Sequence, residues 1–266
     1  SRPYKLMSKS SIIYERRDSF AIIRLYRPEK LNALSREMIK ALSGAFAELE
    51  HQPELRAVIL TGVGDRAFCV GTDISELSAL DESEARETSR LGQALCDQIE
   101  SFTVPVIAAI NGLAVGGGCE LALACHIRLA SENAQFSLPE TELGVIPGYG
   151  GTQRLAREIG RGRALEMVLT GRILTAAEAF QYGLINRVTD KSELLTEAES
   201  VAVEIAKLAP LAIRACLQAV TRGLELPLKE GLAIERELFA SLFTTEDMRE
   251  GTRAFLEKRL PIFKGA

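Results

Sequence analysis

PVIAAINGLAVGGGCELALACH, residues 105–126, is the stretch on which the fold turns. Pro105 to Asn111 is a short apolar run, rich in β-branched residues and closed by Asn-Gly, which reads as a buried strand. Three successive glycines, Gly116 to Gly118, then start a helix. The uncharged run from Ser101 to Cys119 is long enough to raise the membrane question, but Pro105, Asn111-Gly112 and the triple glycine break it. Strand, turn and helix start explain it better than a spanning helix. Glycines ahead of a helix let the backbone approach a bound group and leave first-turn N–H groups facing outward, which suits an oxyanion or a phosphate. The spacing is neither Gly-x-Gly-x-x-Gly nor Gly-x-x-x-x-Gly-Lys, so no nucleotide site is read from it. Glu120 admits two roles. It either complements the helix dipole near the N-terminus, or it is partly buried among Leu121, Ala122, Leu123 and Ala124 and needs partners or a raised pKa.

Upstream, Ser11 to Arg17 and Ser19 to Tyr26 have strand-like content with Asp18 as a turn, which predicts an opening hairpin ended by Pro28. Ser35 caps a helix to about Glu50, with Met38, Ile39, Leu42, Phe46 and Leu49 at helical spacing. RAVILT (56–61) is a short buried strand, and Asp81 with Glu84 opens a helix to about Phe102. Strand and helix thus alternate over the first 130 residues, which favours parallel strands joined by crossover helices. From Gly151 helical periodicity dominates. Thr175 and Glu178 form a capping box, and Glu193 to Leu208 has apolar positions 194, 195, 198, 201, 202, 205 and 208. Further helices run to Arg259. The expected organisation is an α/β core carrying the active site over 1–200 and a helical segment over 201–266, with no internal repeat or Gly/Ser linker between them.

Composition narrows the chemistry. With 266 residues, a core can form without disulfides or metal, since a chain of this size buries roughly 70–75% of its unfolded surface. The 32 Lys+Arg against 36 Asp+Glu give a net charge of −4, which argues against broad phosphate-backbone binding. Only two histidines are present, His51 beside a helix end and His126 in an apolar stretch. His-rich metal sites and most Ser-His-Asp arrangements therefore lack material, and carboxylates are the better acid/base candidates. The five cysteines, Cys69, Cys96, Cys119, Cys125 and Cys216, show no Cys-x-x-Cys spacing and read as reduced thiols of a cytosol-like compartment. No signal-peptide apolar region precedes Met7, a candidate native start.

Two further segments join glycines to polar residues. In RAFCVGTDISEL (66–77), Gly71 can turn the backbone so that Thr72 and Asp73 face a ligand; alternatively Asp73 simply caps a helix. In FSLPETELGVIPGYGGTQRL (136–155), Pro139 fixes the approach to Glu140, and glycines 144, 148, 150 and 151 with Pro147 build a backbone-rich loop before a helix near Thr152. Glu140 and Glu142 are each either functional or solvated loop acids. Together, two N–H groups from separate glycine turns can clamp one carbonyl oxygen, and two carboxylates can hold one water beside it. That combination suits proton transfer next to a carbonyl.

These segments resemble the enoyl-CoA hydratase/isomerase (crotonase) superfamily. The match also takes in RPEKLNAL (27–34), LTGRILTAAEAFQYGLINRV (169–188) and EDMREGTRAFLEKRLPIFKG (246–265), and so covers nearly the whole chain. The resemblance implies an α/β spiral of repeated ββα units with a C-terminal helical trimerisation region, assembled as a homotrimer or a dimer of trimers. It implies an oxyanion hole from the backbone N–H groups of Thr72 and Gly117, holding the carbonyl of an acyl-CoA thioester. Thr72 stands where hydratases often have alanine, a change that a backbone donor tolerates and that narrows the acyl pocket. Hydratases carry two glutamates, matched here by Glu120, which activates the water, and Glu140, which protonates Cα; double-bond isomerases typically keep only the second. Gly71, Asp73 and Gly148 would border the substrate. Leu31, Ala33 and Ile74 would hold adenine and pantetheine, and Phe239 and Lys258 would reach the nucleotide of a neighbouring subunit.

The implied activity is reversible syn hydration of trans-2-enoyl-CoA in acyl-CoA breakdown, with no metal and no cofactor besides the CoA of the substrate. The alternative within the family is a specialised acyl group, of methylglutaconyl-CoA or carnitinyl-CoA type. One branch binds RNA through a lysine-rich helix. Its match here, Arg36 to Glu50, has only Arg36 and Lys40 against Glu37, Glu48 and Glu50, so no nucleic-acid partner is expected, and no membrane. The expected location is bacterial cytoplasm or a mitochondrial matrix.

Overall fold

A computed structural model describes residues 6–9 and 11–266; the residues ahead of Met7 that bear on its reading as a start, 1–5, lie outside the described residues. The chain opens with β1 (Leu6–Lys9), β2 (Ile12–Arg16) and β3 (Phe20–Leu25), paired antiparallel in sequence. The expected hairpin is therefore β2–β3, with a strand before it. After α1 (Arg36–Glu50), capped by the Ser35 hydroxyl accepting from Met38 N at 3.2 Å, a pattern repeats. β4 (Ala57–Gly62), β5 (Ala67–Cys69), α2 (Ile74–Leu77) and α3 (Glu82–Glu100) make the first turn of a spiral. β6 (Val106–Ile110), β7 (Leu113–Val115) and α4 (Gly117–Leu123) make the second, and β8 (Ile127–Ser131), β9 (Gln135–Ser137) and α5 (Gly151–Ile159) the third. In each turn the first strand joins one sheet and the second joins another. The larger sheet runs β1-β2-β3-β4-β6-β8-β11 and the smaller β10-β9-β7-β5, with α6 (Arg161–Thr170), β10 (Leu174–Thr175), α7 (Ala176–Tyr182) and β11 (Arg187–Thr189) completing them. From β3 to β11 the larger sheet is parallel, as the strand-helix alternation predicts.

The central strands are buried on both faces, which is why they read as continuous apolar runs. Val58, Leu60, Val106, Ala108 and Ile110 face a core built with Met38, Leu42 and Phe46 of α1. The alternate residues Ile59, Ile107 and Ala109 face the opposite side, where Leu194, Ala198, Val201 and Ala202 of α8 (Leu194–Ala206) cover them. Residue 200, where the sequence suggests that the core ends, lies inside this helix. α9 (Pro210–Gly223), α10 (Leu228–Leu242) and α11 (Glu246–Leu256) follow, with α10 packed on α9. Leu224, Leu228, Phe255, Leu256 and Leu260 stand exposed on this helical part. Among the described residues no helix is long and apolar enough to cross a membrane.

Asparagines tie the turn between the two strands of a spiral unit. Asn111 donates to the carbonyls of Gly62 and Gly64 and accepts from Gly62 N, while buried Asn32 donates to the carbonyls of Val63 and Ala67. The β4–β5 turn is thereby held against the residues that lead into β7.

Candidate active site

The site forms where β5 and β7 end. Gly71 (φ +86) and Gly116 (φ +53) turn the chain in conformations that disfavour a side chain, and their turns touch. A Cβ on Gly71 would lie 2.9 Å from Val115 O and 3.0 Å from Gly117 N. Leu34 pairs with Thr72 as an isolated parallel bridge, Leu34 N bonding to Gly71 O and Asp73 N to Leu34 O. N–H directions alternate along an extended chain, so the Thr72 N–H points away from Leu34, toward the β7 side. Gly117 begins α4, and its N–H has no intrahelical acceptor. Among the described residues no acceptor occupies either N–H. Two free backbone donors thus stand on adjoining turns.

Glu120, fourth in α4, is 2% exposed, and its Oε1 accepts from Tyr149 N at 2.8 Å and Gly151 N at 2.6 Å. The sequence alternatives merge: the carboxylate is near a helix N-terminus and is also buried. A Cβ on Gly151 would lie 2.8 Å from Glu120 Cγ, so this loop closes over the carboxylate only with glycine there. Glu140 starts a 3₁₀ turn, Glu140–Leu143, and aims at the glycine turns, its Oε1 falling 2.8 Å from where a Cβ on Gly116 would be. Its Oε2 is buried without a hydrogen-bond partner. Glu142, two residues on, is exposed, which separates the two acids that the sequence leaves alike.

Burial pushes Glu120 up to about 7; the Gly151 and Tyr149 N–H groups oppose that rise and the Glu140 charge adds to it. Burial also raises Glu140. The environments differ in kind: one oxygen of Glu120 accepts from two N–H groups of another segment, whereas Glu140 is half-buried, its own backbone N–H opposes the rise, and its Oε2 has no partner. A stability consequence follows from Glu120. The unfolded chain releases this proton near 4.5 and the folded chain near 7, so the folded state binds more protons in between, and wild-type stability falls as pH rises through that window. Glu120→Gln keeps an acceptor for both N–H groups and lacks that slope. Thermal melts should show its stability advantage growing by up to about 3 kcal/mol between about pH 5 and 8. A pH-independent difference would contradict the assignment.

The remaining sequence candidates divide into two groups. Buried Ala33 precedes Leu34, which pairs with Thr72, and Ile74, 55% exposed, opens α2 two residues after Thr72; Leu31, in a left-handed conformation, follows the turn Pro28–Lys30. Asp73 is not free for a ligand. It caps α2 through Ser75 N and accepts from Ser75 Oγ (2.6 Å), Arg27 (2.9 Å) and Lys30 (3.0 Å), and these three side chains, Ser75 first, hold its carboxyl well below the usual carboxylate range. Gly148 O accepts from Ser89 Oγ (2.6 Å) and Gln93 Nε2 (3.1 Å) of α3, which anchors the glycine loop. Phe239, on α10, meets Phe243 edge to face, and Lys258 (φ +56) follows α11; neither joins these residues within one chain. Among the described residues no cluster of three or more His, Cys, Asp or Glu is placed to hold a metal ion.

Sequence reasoning missed Tyr149. Its ring lies 3.1 Å from where a Cβ on Gly117 would be, the Thr72 hydroxyl donates to its phenol oxygen at 3.1 Å, and burial pushes it up to about 12. An aromatic residue set between Gly148 and Gly150 was the available signal.

Comparison with known proteins gives the family. The family model "Enoyl-CoA hydratase/isomerase" matches residues 15–266. The short-chain-enoyl-CoA hydratase of Clostridium acetobutylicum is 42% identical over 253 residues, 95% of this chain and 97% of that one. The crotonyl-CoA hydratase of Syntrophomonas wolfei is 40% identical over 253 residues, with the same coverage of 95% and 97%. The crystal structure of enoyl-CoA hydratase from Bacillus anthracis superposes with a TM-score of 0.91 at 38% identity, covering 99% of each chain. A family match across all three spiral turns and the helical C-terminal part, with relatives of this identity over nearly their full length, places the chain in the enoyl-CoA hydratase/isomerase family.

Proposed function

We propose that the chain is an enoyl-CoA hydratase, adding water reversibly and syn across the double bond of a trans-2-enoyl-CoA to give a 3-hydroxyacyl-CoA. One observation carries this reading: beside the two free N–H donors stand two carboxylates of different kind, a buried Glu120 held by backbone donors and a half-buried Glu140 that faces the Gly116 turn with one buried oxygen that has no partner. The thioester oxygen lies between the N–H groups of Thr72 and Gly117. Ionised Glu120 takes a proton from water as its oxygen bonds to Cβ, and Glu140 gives its proton to Cα. Negative charge that builds on the thioester oxygen meets the two donors, an arrangement worth on the order of 3 kcal/mol per donor in acyl-transfer enzymes. A double-bond isomerase needs only one acid/base carboxylate, so the presence of Glu120 favours hydration. The only cofactor-like group the reaction uses is the CoA of its substrate. The test is hydration of crotonyl-CoA by the wild type and by Glu120→Gln and Glu140→Gln.

For CoA, the reading assigns the Leu31–Ala33 backbone and Ile74 to adenine and pantetheine, and Phe239 and Lys258 to the nucleotide of a neighbouring chain. That requires an oligomer. The apolar residues Leu224, Leu228, Phe255 and Leu260, each more than three-quarters exposed, support one built through α9–α11. Light scattering should give three or six chains of 29.0 kDa; the mass of a single chain would reject the assembly.

A further inference from the structure

We infer that Tyr149 sets the acyl-chain length the site accepts, by walling the reacting centre off from an apolar chamber behind it. The inference rests on the hydratase reading and specifies its substrate. A cavity of about 280 Å³ adjoins Thr72, lined on its apolar side by Leu34, Ile39, Leu77, Leu80, Leu91 and Tyr149, with exposed Arg36, Glu76 and Glu84 toward solvent. Neither Glu120 nor Glu140 lines it. Thr72 and Tyr149 are common to the cavity and the reacting centre, and their side chains are hydrogen-bonded to each other.

The wall is rigid. Tyr149 is 5% exposed, one ring edge lies over Gly117 and the other lies against Gly92 of α3, where a Cβ would fall 2.0 Å from the ring. Its N–H is held by Glu120, and its carbonyl accepts from Arg154, itself paired with Asp97 and Glu100 of α3. The preceding Gly148 carbonyl is held by Ser89 and Gln93. A four-carbon enoyl group ends one carbon beyond the carbon that takes the water. Each added methylene of a longer chain must displace the ring, while the chamber that would receive it lies on the far side.

The experiment measures kcat and KM for trans-2-enoyl-CoAs of four, six, eight and ten carbons with the wild type, Tyr149→Ala and Tyr149→Phe. Calorimetric binding of butyryl-CoA and decanoyl-CoA, which cannot be hydrated, accompanies it. Wild-type kcat/KM should fall with chain length. Tyr149→Ala should raise the ten-to-four-carbon ratio by roughly tenfold for each pair of methylenes that enters the chamber, through KM and with matching decanoyl-CoA binding. Tyr149→Phe, which keeps the ring, should keep the wild-type preference. An unchanged ratio in Tyr149→Ala, by turnover and by binding, overturns the inference. If Tyr149→Ala does not fold, Tyr149→Leu takes its place. A wild type that binds decanoyl-CoA more tightly than butyryl-CoA overturns it whatever the variants do. Absence of hydration at every length, with acyl-CoA binding still shifted by the substitution, would reject the hydratase reading and leave the length limit standing.

Discussion

Glu140→Gln is expected to slow crotonyl-CoA hydration by about 10²–10⁴-fold, the usual range for loss of a positioned acid/base group, while butyryl-CoA still binds. The amide is nearly isosteric, and Oε2 of Glu140, which has no partner, has no hydrogen bond to lose. What it removes is a proton held where burial keeps the carboxyl from ionising early. Glu120→Gln should cause a loss of the same order for the opposite reason. The amide oxygen still accepts from Tyr149 and Gly151, so the loop stays closed, but no base remains to take a proton from water. The two losses should not add, because both groups act on one water and one double bond. Turnover near the wild-type level in either single variant, with binding intact, would sink the assignment.

The two substitutions also separate what was legible in the sequence from what was not. Local signals were sufficient where the partner is close along the chain. The Ser35 cap, the Asp81–Glu84 and Thr175–Glu178 capping boxes and the helical spacing of Met38 to Leu49 all stand as the sequence indicates. The three-residue strands β5, β7 and β9 are too short to show a period, and they exist only because each pairs with a strand from another turn of the spiral. The same holds within the site. Glycine turns, a proline and an acid in an apolar helix marked Glu120 and Glu140 as candidates, and their roles came from the family resemblance. That Glu120 is held by N–H groups 29 and 31 residues away, and that Asp73 is bound by Arg27 46 residues away, depends on tertiary contacts with no local trace. Asp73 shows the consequence. This carboxylate next to Thr72 is a structural strut, because two cations and a helix N-terminus already satisfy it.

Gly71→Ala is expected to lower kcat by about 10²–10³-fold, as loss of an oxyanion donor does, with the protein still folded. Two effects act at this position. At φ +86 an alanine is strained by roughly 1–2 kcal/mol, and its Cβ would lie 2.9 Å from Val115 O and 3.0 Å from Gly117 N. Relief of that contact must move the β5 turn and the α4 N-terminus apart, and those turns carry the two candidate donors. Donors of this kind act only within about 2.7–3.1 Å of the developing oxyanion, so a displacement of a few tenths of an ångström removes most of their value. Gly64→Ala provides the control. It has a similar backbone strain at φ +88, but nothing lies within 4 Å of its Cβ. It should lower the melting temperature and leave kcat for crotonyl-CoA within about twofold, as expected of strain remote from the chemistry. If both variants lost kcat equally, general destabilisation would account for the result; if Gly71→Ala kept its kcat, Thr72 and Gly117 would not be the donors that stabilise the transition state.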